Sequence, residues 1–577
     1  MTRVSVRLRR LSTPVLVILA SLGAASCLNR APLDATPPPS VIEVGIPTLQ
    51  AWMAEGRLSA EELVGLYLAR IERHEAEVNA TISLNPEALA DARRLDAERA
   101  AGRVRGPLHG IPIALKDNIH TLGMPTTSGA IAFAELVAPY PATLTENLEA
   151  AGAIILAKTT LTELANWMAT DMVDGYNGLT GFSMNPYDPR ADPRPGADPG
   201  RPVLNPGGSS SGIGTALSFW AANVGTDTSG SISIPANYNM LVGVRPTLGR
   251  ISRHGVVPIV AEQDTPGPMA RSVEDAAILL GALESAAPDP KDPATGVCAP
   301  PPGRDYRAFL DEGALRGARI GIPRAYYFDP VTPPGASEPR GGIREPGRAM
   351  VRSAIEIMKA AGAVIVDPVE IPSVVDPDPD ENLLLFPPCA GGQDKAHDER
   401  CSTVMKYGMK RDFDAWLASL GDAAPVASLT ELRRFNRTHA TSLGTLRYGQ
   451  AVLDVSDEMD LEEDRARFEA DLAKDRRLAR EHGLDVPLAR DELDAVLFPS
   501  WLGEEIHARS GYPSVSVPFA LIPNRLDPPA PEGFHPRPLP NGITFAGGPC
   551  SEPRLLAIAY AFERATRRRV PPPGFER

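Results

Sequence analysis

Short apolar runs recur along this chain with helical patterns between them, and that alternation limits the fold more than any other feature. The runs fall at 111–115, 153–157, 319–322, 363–366 and 495–498. Each is too short for a helix and reads as a strand. Ser59-Ala-Glu-Glu62 is a capping box, and Leu63, Leu66, Tyr67 and Ile71 follow it at helical spacing. A second helix is predicted over 86–101. Strands alternating with helices predict an α/β protein with a mostly parallel or mixed sheet. The 577 residues suffice for a large core, and the sequence has no internal repeat.

The first 26 residues read as an export signal. Arg3, Arg7, Arg9 and Arg10 precede an apolar stretch at 14–22 that is too short to span a bilayer. Small residues then lead to Cys27, which suits a lipobox with cleavage before Cys27 and lipid on its sulfur. A plain secretory signal cut near 24–26 is the alternative. Residues 27–40 form a tether without core residues, and the folded part begins near Val41. These readings predict a periplasmic or outer-membrane-anchored lipoprotein, or else a secreted protein, touching membrane only through its N-terminal lipid.

Four cysteines follow Cys27: Cys298, Cys389, Cys401 and Cys550. An even number in an oxidising compartment permits two disulfides. Cys389 with Cys401 is the favoured pair, because they bracket a polar, Gly-rich segment. Four free thiols are the alternative. No Cys or His spacing suits zinc, so no metal is implied. The formal charge of −14 disfavours nucleic acid.

Chemistry is densest between Gly207 and Pro235. Gly207-Gly-Ser-Ser-Ser-Gly212 precedes Gly225-Thr-Asp-Thr-Ser-Gly-Ser231. Small residues let the backbone approach a ligand and free amide N–H groups to face an anion. A nucleophilic serine needs a base, oxyanion donors and room for an acyl group. The N–H groups of Thr228, Ser229, Gly230 and Ser231 are the candidate donors, and an ordinary Gly/Ser turn is the plainer reading. Lys116 closes the run at 111–115. Burial there would lower its pKa toward that of a base. Snorkelling, or pairing with Asp117, is the more ordinary fate of such a lysine.

Together these segments resemble the amidase signature family. Residues 106–118 resemble its lysine motif, 207–212 its serine-rich motif and 225–232 its nucleophile motif. Gly243-Val-Arg-Pro-Thr, 263–272 and 511–518 fit as well, and the last but one is nearest the peptide amidase branch. The resemblance runs from about 43 to 566. It implies one large domain over 41–577, with a central mixed sheet of many strands flanked by helices on both faces. It implies Ser231 as the acylated nucleophile, Ser209 as a bridging serine held by a cis peptide bond at Gly208 or its neighbour, and Lys116 as the final base. Asp227 and Ser210 would support them. No cofactor is implied. The substrate would be a small, aryl, acyl or peptide C-terminal amide. The chain departs from the family at Ser229, where glycine is usual, and at Ser233, where a basic residue is common. The stretch between the two serines is about two residues short.

Two other readings compete. Gly208-Ser-Ser210-Ser-Gly212 matches the elbow of α/β-hydrolase esterases, with His507 or His535 as base, yet the loop-like residues 200–206 stand where that elbow needs a strand. A binding lipoprotein on a retired amidase scaffold, or a subunit like that of a tRNA amidotransferase, is the other. The Pro-rich segments 185–206 and 523–540 lie beside the site and either shape its mouth or are plain insertions. Trp167, Met168, Tyr176 and Trp501 line a substrate pocket or, more ordinarily, pack in the core.

Overall fold

The computed structural model describes residues 39–207, 211–392, 395 and 397–576. The signal, Cys27 and nearly all of the tether lie outside the described residues, as do Gly208, Ser209 and Ser210.

The capping box forms as read. Ser59 Oγ accepts from the Glu62 amide, the Glu62 side chain accepts from the Ser59 amide, and the helix Ala60–Val78 follows. The second helix is Ala88–Ala100. The strands in chain order are β1 Thr81–Leu84, β2 Pro112–Lys116, β3 Ile154–Thr159, β4 Tyr176–Asn177, β5 Gly181–Phe182, β6 Ala222–Asp227, β7 Val242–Arg245, β8 Thr265–Ala270, β9 Arg319–Pro323, β10 Val364–Val369, β11 Ala495–Pro499, β12 Ser514–Ile522 and β13 Leu539–Ala546. All five apolar runs are strands: β2, β3, β9, β10 and β11.

Among the described residues, eleven strands form one mixed sheet, in the order β1-β3-β2-β6-β8-β7-β12-β13-β11-β9-β10. The small β4–β5 pair stands apart from it. Strands β3, β2 and β6 are parallel neighbours, with Ile113 opposite Ala222 and Leu115 opposite Val224. Their carboxyl ends therefore open on the same side, where α/β sheets place their sites. Strands β2 and β6 are buried along their whole length, as expected for strands covered on both faces.

A second apolar cluster lies beside the sheet's own core. It joins the helices Val404–Ser419, Leu429–Leu443 and Ala451–Asp457 to the loops after β2 and β3. Phe133, Phe413 and Trp416 are its aromatic centre, with ring centroids 5.1–6.1 Å apart. Trp167, Met168 and Tyr176 belong to this cluster. The Trp167 indole donates to Ser456 Oγ at 3.1 Å. These three residues therefore pack the second core, whereas Trp501 is half-buried near the Tyr238 ring.

The two Pro-rich segments are stitched to each other. Arg190 chelates Asp188, donates to the His535 carbonyl at 2.8 Å and lies over the Phe534 ring. Asp188 also accepts from the Arg537 amide. One turn further on, Arg194 chelates Asp192 and donates to the Asp527 carbonyl at 2.8 Å. Each arginine is thus held flat by its own aspartate and spends its remaining N–H groups on the other loop.

Cys389 is bonded to Cys401, and Cys298 to Cys550. The first closes 12 residues and the second 252. A cross-link restricts the unfolded chain more when its loop is longer. Cys298→Ser should therefore lower the melting temperature more than Cys389→Ser. The expected loss for the long bridge is about 2–5 kcal/mol. Thermal unfolding of the two single variants checks the order.

Candidate active site

Lys116 is the last residue of β2, and its side chain is fully buried. Its Nζ donates to Thr226 Oγ1 at 2.9 Å and to the Thr226 carbonyl at 3.2 Å on the neighbouring β6. Asn118 Nδ2 donates to the same hydroxyl at 3.0 Å. Burial disfavours the ammonium form and brings the amine down to about 7, against a smaller opposing pull from Asp227 and Asp264. Pairing with Asp117 does not occur. Asp117 is the first residue past the strand and is taken by Lys158 of β3 at 3.1 Å, with Thr127 bonded to it as well. Lys158 thus removes the carboxylate that would have kept Lys116 charged.

Strand β6 ends at Asp227, and the chain then turns through Thr228, Ser229 and Gly230 to a half-buried Ser231. The short helix Ser233–Tyr238 follows. The Asp227 carboxylate shapes this turn. Oδ1 accepts from the Gly230 amide at 3.0 Å and Oδ2 from the Ile232 amide at 2.7 Å. Arg245, at the end of β7, meets Oδ1 at 2.6 Å, and both side chains are buried. Arg245 also donates to the backbone carbonyls of Asp227 and Gln263. Gly230 has φ +91°, and a Cβ there would stand 2.7 Å from Ile234 Cδ1, so only glycine fits.

This corrects one of the four oxyanion donors read from the sequence. The Gly230 amide is directed at Asp227, which leaves Thr228, Ser229 and Ser231 as the candidate donors. The Thr228 hydroxyl is bonded to Asp264, whose second oxygen accepts from the Ile259 and Val260 amides at 2.8 and 2.9 Å. Burial raises the Asp264 carboxyl to about 6.

Ser209, Ser210 and Gly208, with the cis peptide bond predicted there, lie outside the described residues. Their flanks are fixed against the helix Ser233–Tyr238. Gly207 has φ +96°, and a Cβ on it would fall 2.4 Å from Pro235 Cα. Asn239 Nδ2 bridges the carbonyls of Pro206 and Pro235, each at 2.8 Å. Between the two serine segments the chain forms one four-residue helix, Ile213–Ala216.

The esterase reading lacks its scaffold. No strand precedes Ser210 among residues 200–207, which hold one isolated bridge at Pro202. His507 is buried edge-on against Phe498, and burial drops its pKa to about 3. His535 is exposed on the second Pro-rich segment. Among the described residues, no group of three His, Cys, Asp or Glu side chains is placed to hold a metal.

Thr226, Asn118, Lys158, Arg245 and Asp264 are site residues to which sequence reasoning gave no role. Arg245 and Asp264 stand inside motifs at 243–247 and 263–272, so the motifs pointed at them without saying what they hold.

Known proteins resemble this chain in sequence and fold. The model of the Amidase family matches residues 62–376. A probable amidase of Arabidopsis thaliana is 30% identical over 96% of this chain and 95% of its own. A glutamyl-tRNA(Gln) amidotransferase subunit from Synechococcus is 32% identical over 89% of this chain and 95% of its own. The native peptide amidase of Stenotrophomonas maltophilia superposes with a TM-score of 0.75 at 33% identity, covering 93% of this chain and 99% of that one. The chain belongs to the amidase signature family, as an amide-hydrolysing enzyme whose motifs and fold resemble those of a peptide amidase.

Proposed function

We propose that the chain hydrolyses small, aryl, acyl or peptide C-terminal amides through an acyl-enzyme on Ser231, with Ser209 relaying protons to and from Lys116. One observation carries the reading. A buried amine with its pKa lowered to about 7 ends β2, beside the strand whose end presents Ser231. A lysine in that state accepts a proton near neutrality, as a general base must.

In this scheme Ser231 Oγ attacks the amide carbonyl carbon. Its proton passes through the Ser209 hydroxyl to neutral Lys116. The carbonyl oxygen gains the negative charge and is met by backbone N–H groups of the 228–231 turn. The proton returns to the departing nitrogen as the C–N bond breaks. Water then attacks the Ser231 ester, losing its proton along the same route, and the carboxylic acid leaves. Asp227 and Arg245 act by holding the turn in shape.

We propose further that the protein is exported. Two disulfides and the N-terminal pattern of arginines, apolar run and Cys27 support this placement. The subunit-like alternative finds less support, since charged tRNA is cytoplasmic.

A fluorophosphonate probe should label the purified chain, and Ser231→Ala should abolish the label. Product analysis on a panel of amides, with 3-phenylpropanamide among them, should show the free acid. No turnover of any member would overturn the reading. Lys116→Ala should lower kcat/KM by about a thousandfold or more, and adding Ser231→Ala should lower it little further, because the two act as a unit. With Lys116 neutral only above about pH 7, the wild-type rate should climb with pH through that value and then level off. A rate independent of pH between 5 and 9 would count against lysine as the base.

A further inference from the structure

Strand β12 is nine residues long, yet β7 pairs with it only over Ser514–Ser516. Its far end has β13 as its one strand neighbour. Between that end and the start of the helix Glu345–Ala360 lies a groove of about 1040 Å³, at the upper end of the size range of small-molecule sites. None of Lys116, Thr226, Asp227 or Ser231 lines it. Its floor is apolar, built from Ile343, Met350, Phe519, Leu521 and Leu539. Leu521 is 38% exposed, and here an exposed leucine is part of a concave apolar surface rather than a lone side chain in water.

The same groove is lined by three exposed arginines, Arg344, Arg525 and Arg568. Among the described residues, none of the three forms an ion pair or donates a side-chain hydrogen bond to the protein. Arg568 lies 5.6 Å over the Phe519 ring, which leaves its N–H groups unspent. The one acid in the lining, Glu345, is taken by Arg352. Other arginines close by are engaged: Arg569, next along the chain, holds Glu43 at 2.7 Å, and Arg348 holds Asp329 at 2.6 Å. Three unanswered positive charges thus collect on one apolar concavity of a chain whose formal charge is −14. A guanidinium carries a fork of donors that matches a carboxylate.

We propose that this groove is a second binding site, for the carboxylate of an unbranched acyl chain. The tail lies on the apolar floor and the head sits among the three arginines. Both parts of the ligand are required by what lines the groove. A short acid leaves the floor wet, and a cationic amphiphile brings like charge to the arginines. The site lies apart from Ser231 and Lys116, so it stands whether or not the hydrolase reading does.

Calorimetric titration of the purified chain with decanoate, hexanoate and decyltrimethylammonium, each below its micelle concentration, tests this. Decanoate should bind at one site, about tenfold or more tighter than hexanoate, since each buried methylene adds about fourfold. It should also bind about tenfold or more tighter than decyltrimethylammonium. Arg344→Gln with Arg568→Gln should weaken decanoate by about tenfold or more, as the loss of charged hydrogen bonds implies, and should weaken hexanoate in proportion. Leu521→Glu should weaken decanoate and leave hexanoate nearly unchanged. Both variants alter exposed side chains, and thermal unfolding checks that they fold. Prior labelling of Ser231 with a fluorophosphonate, or Ser231→Ala, should leave decanoate binding as it was. Equal affinity for decanoate and decyltrimethylammonium would overturn the proposal, as would decanoate binding that neither variant weakens. Loss of binding on blocking Ser231 would move the ligand to the active site and overturn it too. So would binding to phosphatidylglycerol vesicles with none to decanoate, which would make the arginines a membrane contact.

Discussion

A lysine amine taken wholly out of water must either lose its proton readily or find an anion, and burial here brings Lys116 down to about 7. The nearest carboxylate along the chain, Asp117, is spent on Lys158. The carboxylate of the nucleophile turn, Asp227, is spent on Arg245 and two amides. What Lys116 meets instead is the hydroxyl and carbonyl of Thr226, acceptors that carry no charge. Two buried ion pairs flank one buried amine. Breaking either pair would leave a bare buried charge, at a cost of about 3–5 kcal/mol. It would also change the field at the amine that the proposed mechanism uses as its base.

The sequence disclosed this arrangement unevenly, for physical reasons. Four of the apolar runs, β2, β3, β9 and β11, were legible as strands because they lie inside the sheet and are buried almost throughout, so apolar residues serve there, whereas β10 is a largely exposed edge strand legible through its Val and Ile. Strands β6, β7, β8, β12 and β13 escaped. They are written with Gly, Thr, Ser, Asn and Pro, as in Thr265-Pro-Gly-Pro-Met-Ala270. At these positions close backbone approach matters more than side-chain bulk: a Cβ on Gly267 would meet the Val244 carbonyl oxygen at 2.2 Å. Periodicity cannot see a strand chosen for what it lacks.

The site shows the same division. Lys116, Asp227 and Ser231 were found through motif resemblance, whereas burial odds alone favoured a structural lysine. That Lys158 would claim Asp117 depends on β3 lying beside β2, which no local pattern states. The Gly230 amide looked available for an oxyanion because its glycine is conspicuous. Its engagement by Asp227 follows from the tightness of the turn, which only coordinates display. Trp167, Met168 and Tyr176 look like pocket walls by composition. They pack the second core because the helices from 404 to 457 come to rest on them.

The strand order bears on how the chain reaches this state during synthesis. Strands β1 to β3 with β6 to β8 form one block, and β9 with β10 another. All of them emerge before residue 376, where the family match ends. Yet the two blocks share no pairing. They are joined only by β12, β13 and β11, drawn from residues 495–546. If the two blocks formed before that late segment joined them, they would be two half-sheets with naked edges at β7 and β9. Such edges recruit neighbouring chains unless something shields them. A chaperone that holds the polypeptide extended until residues 495–546 arrive would relieve this hazard.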